Sequence, residues 1–148
     1  MTSSTDRPRI VVGVDGSPQS EQALRWAVRL AAAEDAVVEV IAAWEYPAVY
    51  GWAPLPHDYD PEKEVKILTE DTIDAVFPDG RPEGITVTVA SGSPARALID
   101  RGNDAHMIVV GSRGRGGFSG LLLGSVSKTV IEHATVPVLV VRGDVPAA

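Results

Sequence analysis

Cysteine is absent from the 148 residues, which excludes disulfide frameworks, thiol catalysis and cysteine-ligated metals. Long apolar runs are absent too, since no segment approaches the ~20 residues of a membrane helix. The opening MTSSTDRPR has no apolar stretch of the signal-peptide kind, so a cytoplasmic location is expected. Basic residues are in deficit, 13 Lys and Arg against 20 Asp and Glu, giving a net charge of -7 and a pI near 4.8. General nucleic-acid binding needs a basic surface and is not expected of such a chain. His57, His106 and His133 are scattered without metal-ligand spacing, so no metal centre is expected. Internal repeats and low-complexity stretches are lacking.

The remaining composition is that of one globular domain, 45% hydrophobic and long enough to bury a proper core. Residues 1–8 and 143–148 read as tails around a domain at 9–142. RIVVGV (9–14) reads as a buried strand by its β-branched run. Asp15-Gly16 turns the chain, and Ser17 with Pro18 opens a helix to about residue 33. Ala23, Ala27, Leu30 and Ala31 form its apolar stripe. AVVEVIAA (36–43) is a second strand. Pro61 opens a helix to residue 77, with Val65, Leu68, Thr72 and Val76 inward and Pro78-Asp79-Gly80 as the stop. ITVTVA (85–90) alternates as a strand. Ser93-Pro94 caps a short helix, with Ala95, Leu98 and Ile99 inward and Gly102 at its end. HMIVV (106–110) is a fourth strand, a helix runs from Ser125 to about residue 134, and VPVLVV (136–141) is a fifth strand. Connections of this length demand crossovers, hence an α/β, doubly wound, Rossmann-like parallel sheet covered on both faces.

Aromatics are few, and five of the eight fall between residues 44 and 60: Trp44, Tyr46, Tyr50, Trp52 and Tyr59. With Pro47, Pro54 and Pro56, this long connection reads as a lid, a dimer contact or packing over a sheet edge.

The segment GSRGRGGFSGLLLGSVS (111–127) carries the chemistry. It holds six of the 14 glycines and stands between a strand and a helix, where backbone N–H groups and a helix N-terminus can hold a phosphate chain. Glycine permits close approach of backbone to ligand. Ser125 is placed to cap the helix. From residue 105 to 131 there is no Asp or Glu, while Arg113, Arg115 and Lys128 are present. A cationic island in an acidic chain suits a polyphosphate. The Asp15 turn also lies at a strand's carboxyl end, where ligands of such sheets sit, beside the switch in strand order. Asp15 either accepts hydrogen bonds from a ribose or adenine, or shapes its own turn.

Taken together, VGVDGS at the first strand, the aromatic connection and the closing glycine motif resemble the universal stress protein family over nearly the whole chain. The nucleotide-binding members carry Gly-x2-Gly-x9-Gly-Ser/Thr, matched here by Gly111, Gly114, Gly124 and Ser125. No Gly-Lys-Ser/Thr follows, so this is not a Walker A loop. The resemblance implies a five-stranded sheet of order 3-2-1-4-5. It implies an adenine nucleotide, with Gly111 and Gly114 close to ribose and phosphates and Gly124, Ser125 and Ser127 on phosphate oxygens. Gly13, Val14 and Asp15 would border adenine and ribose, with Ala42 against the adenine. Arg113 and Arg115 fall where the family varies, and Ser112 and Val126 complete the candidate set. ATP is the expected ligand; the residues do not choose between it and AMP, or fix whether Mg²⁺ accompanies it. A homodimer through strand 136–141 is also implied, since an edge strand with Pro137 near its start invites pairing. The expected role is a nucleotide-responsive binding module rather than an enzyme, because the motif region offers no evident general base. The alternative is a slow ATP hydrolase or a self-phosphorylating enzyme acting on Ser119 or Ser125.

Overall fold

The computed structural model describes residues 7–45, 57–113 and 123–142. The order is β1 (Arg9–Gly13), α1 (Pro18–Glu34), β2 (Val37–Trp44), α2 (Pro61–Val76), β3 (Ile85–Ser91), α3 (Pro94–Gly102), β4 (Met107–Gly111), α4 (Ser125–His133) and β5 (Val138–Val141). All strand pairs are parallel and the sheet order is β3-β2-β1-β4-β5, as expected. Most of the aromatic connection (46–56) and both outer tails (1–6 and 143–148) lie outside the described residues. Arg7 and Pro8, which composition placed in a tail, are tied to the domain. The Arg7 guanidinium donates to the Asp35 and Ala36 carbonyls, and the Pro8 carbonyl accepts from the Val37 N–H.

Period-two alternation along the central strands explains the two layers. Ile10, Val12, Val38, Val40 and Val109 face one core with Leu24 and Ala27 of α1 and Ile73 of α2. Val11, Ile41, Ile108 and Val110 face the other, with Leu98 of α3 and Val130 of α4. Helix α1 begins as its sequence dictates: the Ser17 hydroxyl accepts the Ser20 N–H at 3.2 Å, with Pro18 in the first turn.

Two local expectations are corrected, and one, Gly102 at the end of α3, is borne out for a reason the sequence did not show. In α2 the expected inward stripe holds at Thr72 and Val76 but not in the first half of the helix. Thr69, Thr72, Ile73 and Val76 are buried, whereas Leu68 is 37% exposed. Ile73 and Val76, in the second half of α2, belong to the core. Gly102 is the last residue of α3 and needs no left-handed φ. A Cβ there would stand 2.3 Å from Ile108 Cδ1, so glycine allows α3 to approach β4. The N-cap of α4 is Gly124, not Ser125, and among the described residues no side chain caps this helix.

The sheet also buries one carboxylate. Glu39 of β2, with its side chain only 4% exposed, is held by the guanidiniums of Arg9 and Arg101 and by the Thr88 hydroxyl. Burial raises its pKa, but these three partners outweigh it and hold the carboxyl below the ordinary carboxylate range.

Candidate functional site

Strand β1 sits between β2 and β4, so crossovers leave it in opposite directions and the chain opens a crevice beyond the carboxyl ends of β1 and β4. A cavity of about 350 Å³ occupies that crevice. Its size falls within the ~300–1,000 Å³ range of small-molecule sites. From the β1 end come Gly13, Val14 and Asp15; from β2, Ala42; from β4, Gly111 and Arg113; and from the start of α4, Gly124, Ser125, Val126 and Ser127. Ten candidate residues, drawn from four distant segments, therefore line one space. Ser112 does not line it. Gly114 and Arg115 lie outside the described residues.

One end of the cavity is apolar. Ile41, Ala42, Ala43, Leu98, Val65 and Leu68 line it. The last two were expected in the core, because helical spacing shows which residues share a face but not what that face meets. Thr69 and Ser20 are additional polar lining residues. The Thr69 hydroxyl donates to the Val65 carbonyl at 2.7 Å, and that of Ser20 to the Ser17 carbonyl at 2.9 Å. No pattern in the sequence marks either as a site residue.

The other end is polar and electropositive. Helix α4 presents its first turn to the cavity from a glycine N-cap that brings no side-chain acceptor, so its amide dipoles point there. Arg113 adds a charge, and Asp15 is the only carboxylate among the described lining residues. Asp15 Oδ1 accepts the Ser17 N–H at 2.9 Å, so this residue shapes its turn and lines the cavity at once.

Two of the lining glycines also stand close to other parts of the protein. A Cβ on Gly13 would lie 3.0 Å from Leu98 Cδ1, and one on Gly111 would lie 3.1 Å from Gln19 Cβ. Ser127 is 2% exposed and its hydroxyl faces two carbonyls, Ser112 at 3.0 Å and Gly124 at 3.1 Å. The Ser112 carbonyl also accepts the Gly124 N–H at 2.7 Å. Ser112 and Ser127 thus join the two ends of the glycine-rich segment. Among the described residues, no cluster of His, Asp and Glu could hold a metal ion, and no helix is long and apolar enough to cross a membrane.

Residues 7–142 match the sequence model of the Universal stress protein family. A universal stress protein of Mycolicibacterium smegmatis is 37% identical over 158 aligned positions, covering 100% of this chain and 52% of that protein. The chain spans about half the length of the curated relatives it matches. Among solved structures, a universal stress protein in complex with cAMP has a TM-score of 0.67 at 27% identity, covering 93% of this chain and 98% of the other. The universal stress protein UspA from Lactobacillus plantarum has a TM-score of 0.71 at 20% identity, covering 91% and 97%.

Proposed function

The chain belongs to the universal stress protein family, and from that premise we propose that it is a nucleotide-responsive module that binds ATP, or AMP, in the crevice beside β1 and β4. The observation that carries this reading is the joining of two unlike ends in one cavity. An apolar end suited to a base is continuous with an uncapped helix N-terminus and Arg113, which suit phosphate. Ala42 and Leu98 would flank the adenine. Asp15 would accept from the ribose or the base. Ser125 and Val126 would offer backbone N–H groups to phosphate oxygens beside Gly124, with Mg²⁺ as a companion of the triphosphate. The cAMP complex of a 27% identical relative supports an adenine nucleotide as the ligand class.

The module works in the cytoplasm as a homodimer paired along β5, which closes one end of the sheet. A bound nucleotide acts through its different affinities for different states of that assembly or of a partner. We assign no turnover to the site, a reading supported by the one described carboxylate at the cavity, Asp15, which already accepts the Ser17 N–H.

Calorimetric titration with ATP, AMP and adenosine tests the reading. The wild type binds all three, the phosphorylated ligands more tightly. Gly124→Val weakens the phosphorylated ligands by at least about tenfold, or ~1.4 kcal/mol. A wild type that ignores all three contradicts the reading, and steady MgATP turnover lost in Gly124→Val favours the hydrolase instead.

A further inference from the structure

Gln19 stands two residues past the N-cap of α1 and does not line the cavity. Its side chain nevertheless reaches the start of the glycine-rich segment. Gln19 Oε1 accepts the Arg113 N–H at 2.6 Å and faces the Ser112 hydroxyl, a second donor, at 3.4 Å. Two converging donors assign that atom as the amide oxygen, because the NH₂ group cannot accept them. Ser112 belongs to the neck that joins the two ends of the segment, through its carbonyl to Gly124 and Ser127. The Ser112 N–H is taken by the Val141 carbonyl at 2.8 Å, which fixes the neck to β5.

Gly111 supplies an independent observation. A Cβ at this position would lie 3.1 Å from Gln19 Cβ and 3.2 Å from the Gln19 carbonyl carbon. The first residue of the glycine motif therefore leaves room for Gln19 to approach. Helix α1 begins at the Asp15 turn, where Ser17 accepts from Ser20 and donates to Asp15. A single helical turn thus connects the carboxylate at one end of the cavity to the amide that precedes the glycine-rich loop.

We propose that Gln19 is a positioning residue for the phosphate end of the site: by holding the Arg113 amide it fixes where the loop leaves β4 and where Arg113 stands at the cavity wall. This rests on the nucleotide reading above. Holding a charged residue in one place costs conformational entropy, and the Gln19 bond meets part of that cost at Arg113 before the ligand arrives. Gln19 acts through Arg113 and not on the base, so its loss falls on phosphate-bearing ligands alone.

The test compares ATP and adenosine on the wild type and on Gln19→Met, which keeps the stem but removes the acceptor. Loss of one hydrogen bond that positions a charged group lowers ATP affinity about tenfold. Adenosine affinity stays at the wild-type value, and the Arg113 amide becomes faster to exchange with deuterium. Gln19→Ala, which adds no bulk, gives the same ratio if the Met variant loses its fold. Equal losses for ATP and adenosine, or no loss for either, overturn the proposal. A wild type that binds neither ligand overturns the nucleotide reading itself and the proposal with it.

Discussion

Replacing Gly111 by alanine puts one methyl group against the junction of β4, α1 and the glycine-rich segment. The new Cβ would stand 3.1 Å from Gln19 Cβ, 3.2 Å from the Gln19 carbonyl carbon and 3.2 Å from the Arg113 carbonyl oxygen. Carbon pairs are most stable at about 3.5–4.0 Å, so the two Gln19 atoms must move by several tenths of an ångström. None of the three is the tip of a flexible side chain: two belong to the first turn of α1, and the third is backbone held through Gln19. Gly111 is not among the glycines with positive φ, so alanine can adopt its backbone conformation. Reduced freedom of the unfolded chain then favours alanine by about 0.4–1 kcal/mol. Overpacking costs about 1–3 kcal/mol and prevails, leaving a net loss of about 1–2 kcal/mol. In a domain of this size that lowers Tm by roughly 2–8 °C. Urea unfolding followed by circular dichroism, at unchanged m-value, measures the loss, and titration of the folded variant should show ATP affinity falling more than adenosine affinity. A variant as stable as the wild type, with unchanged ATP affinity, would refute the reasoning that Gly111 exists to admit Gln19.

The other predictions concern the core, the buried carboxylate and the turn. Gly102→Ala drives a Cβ to 2.3 Å from Cδ1 of the fully buried Ile108, so chemical denaturation should show a loss of about 1–3 kcal/mol. Adding Ile108→Val, which deletes that Cδ1, should recover part of the loss, and strict additivity of the two changes would contradict the clash. For Glu39 the folded pKa is depressed, so its contribution is present above the unfolded value near ~4.3 and is lost as pH falls through the folded value. Glu39→Gln should therefore be less stable than the wild type by about 1–3 kcal/mol at neutral pH, with the gap narrowing below about pH 4. A gap independent of pH in urea unfolding would remove the charge from the explanation. Asp15→Ala should weaken adenosine and ATP alike by about tenfold or less, and unchanged titrations would leave Asp15 with its turn alone.

The architecture was legible because each determinant is local and repeated. β-branched runs in RIVVG and MIVVG can only be strands buried on both faces, and the helices between them force parallel crossovers. The site's backbone was legible for the same reason, since strand ends and a helix start are where such a sheet collects a ligand. What escaped depends on distant partners. The spacing of Val65 and Leu68 shows a shared face, but that face lines the cavity instead of the core. Gly111 and Gly102 read as a loop glycine and a helix stop, although each is small because Gln19 or Ile108 comes close from elsewhere in the chain. Glu39 sits unremarked in an apolar run, and its partners Arg9, Thr88 and Arg101 are gathered only by folding. Gln19 is one polar residue in a first helical turn and carries no pattern of its own.

Backbone amide NMR during ATP addition tests the central claim most directly. The largest shifts are expected on Gly13, Val14 and Asp15 at the end of β1, on Gly111 and Arg113 at the exit of β4, and on Ser125 and Val126 at the start of α4. Arg9, Glu39 and Arg101, which form the separate buried ion cluster, should stay still. Shifts confined to other surfaces, or none at all at millimolar ATP, would contradict the assignment of the crevice as a nucleotide site.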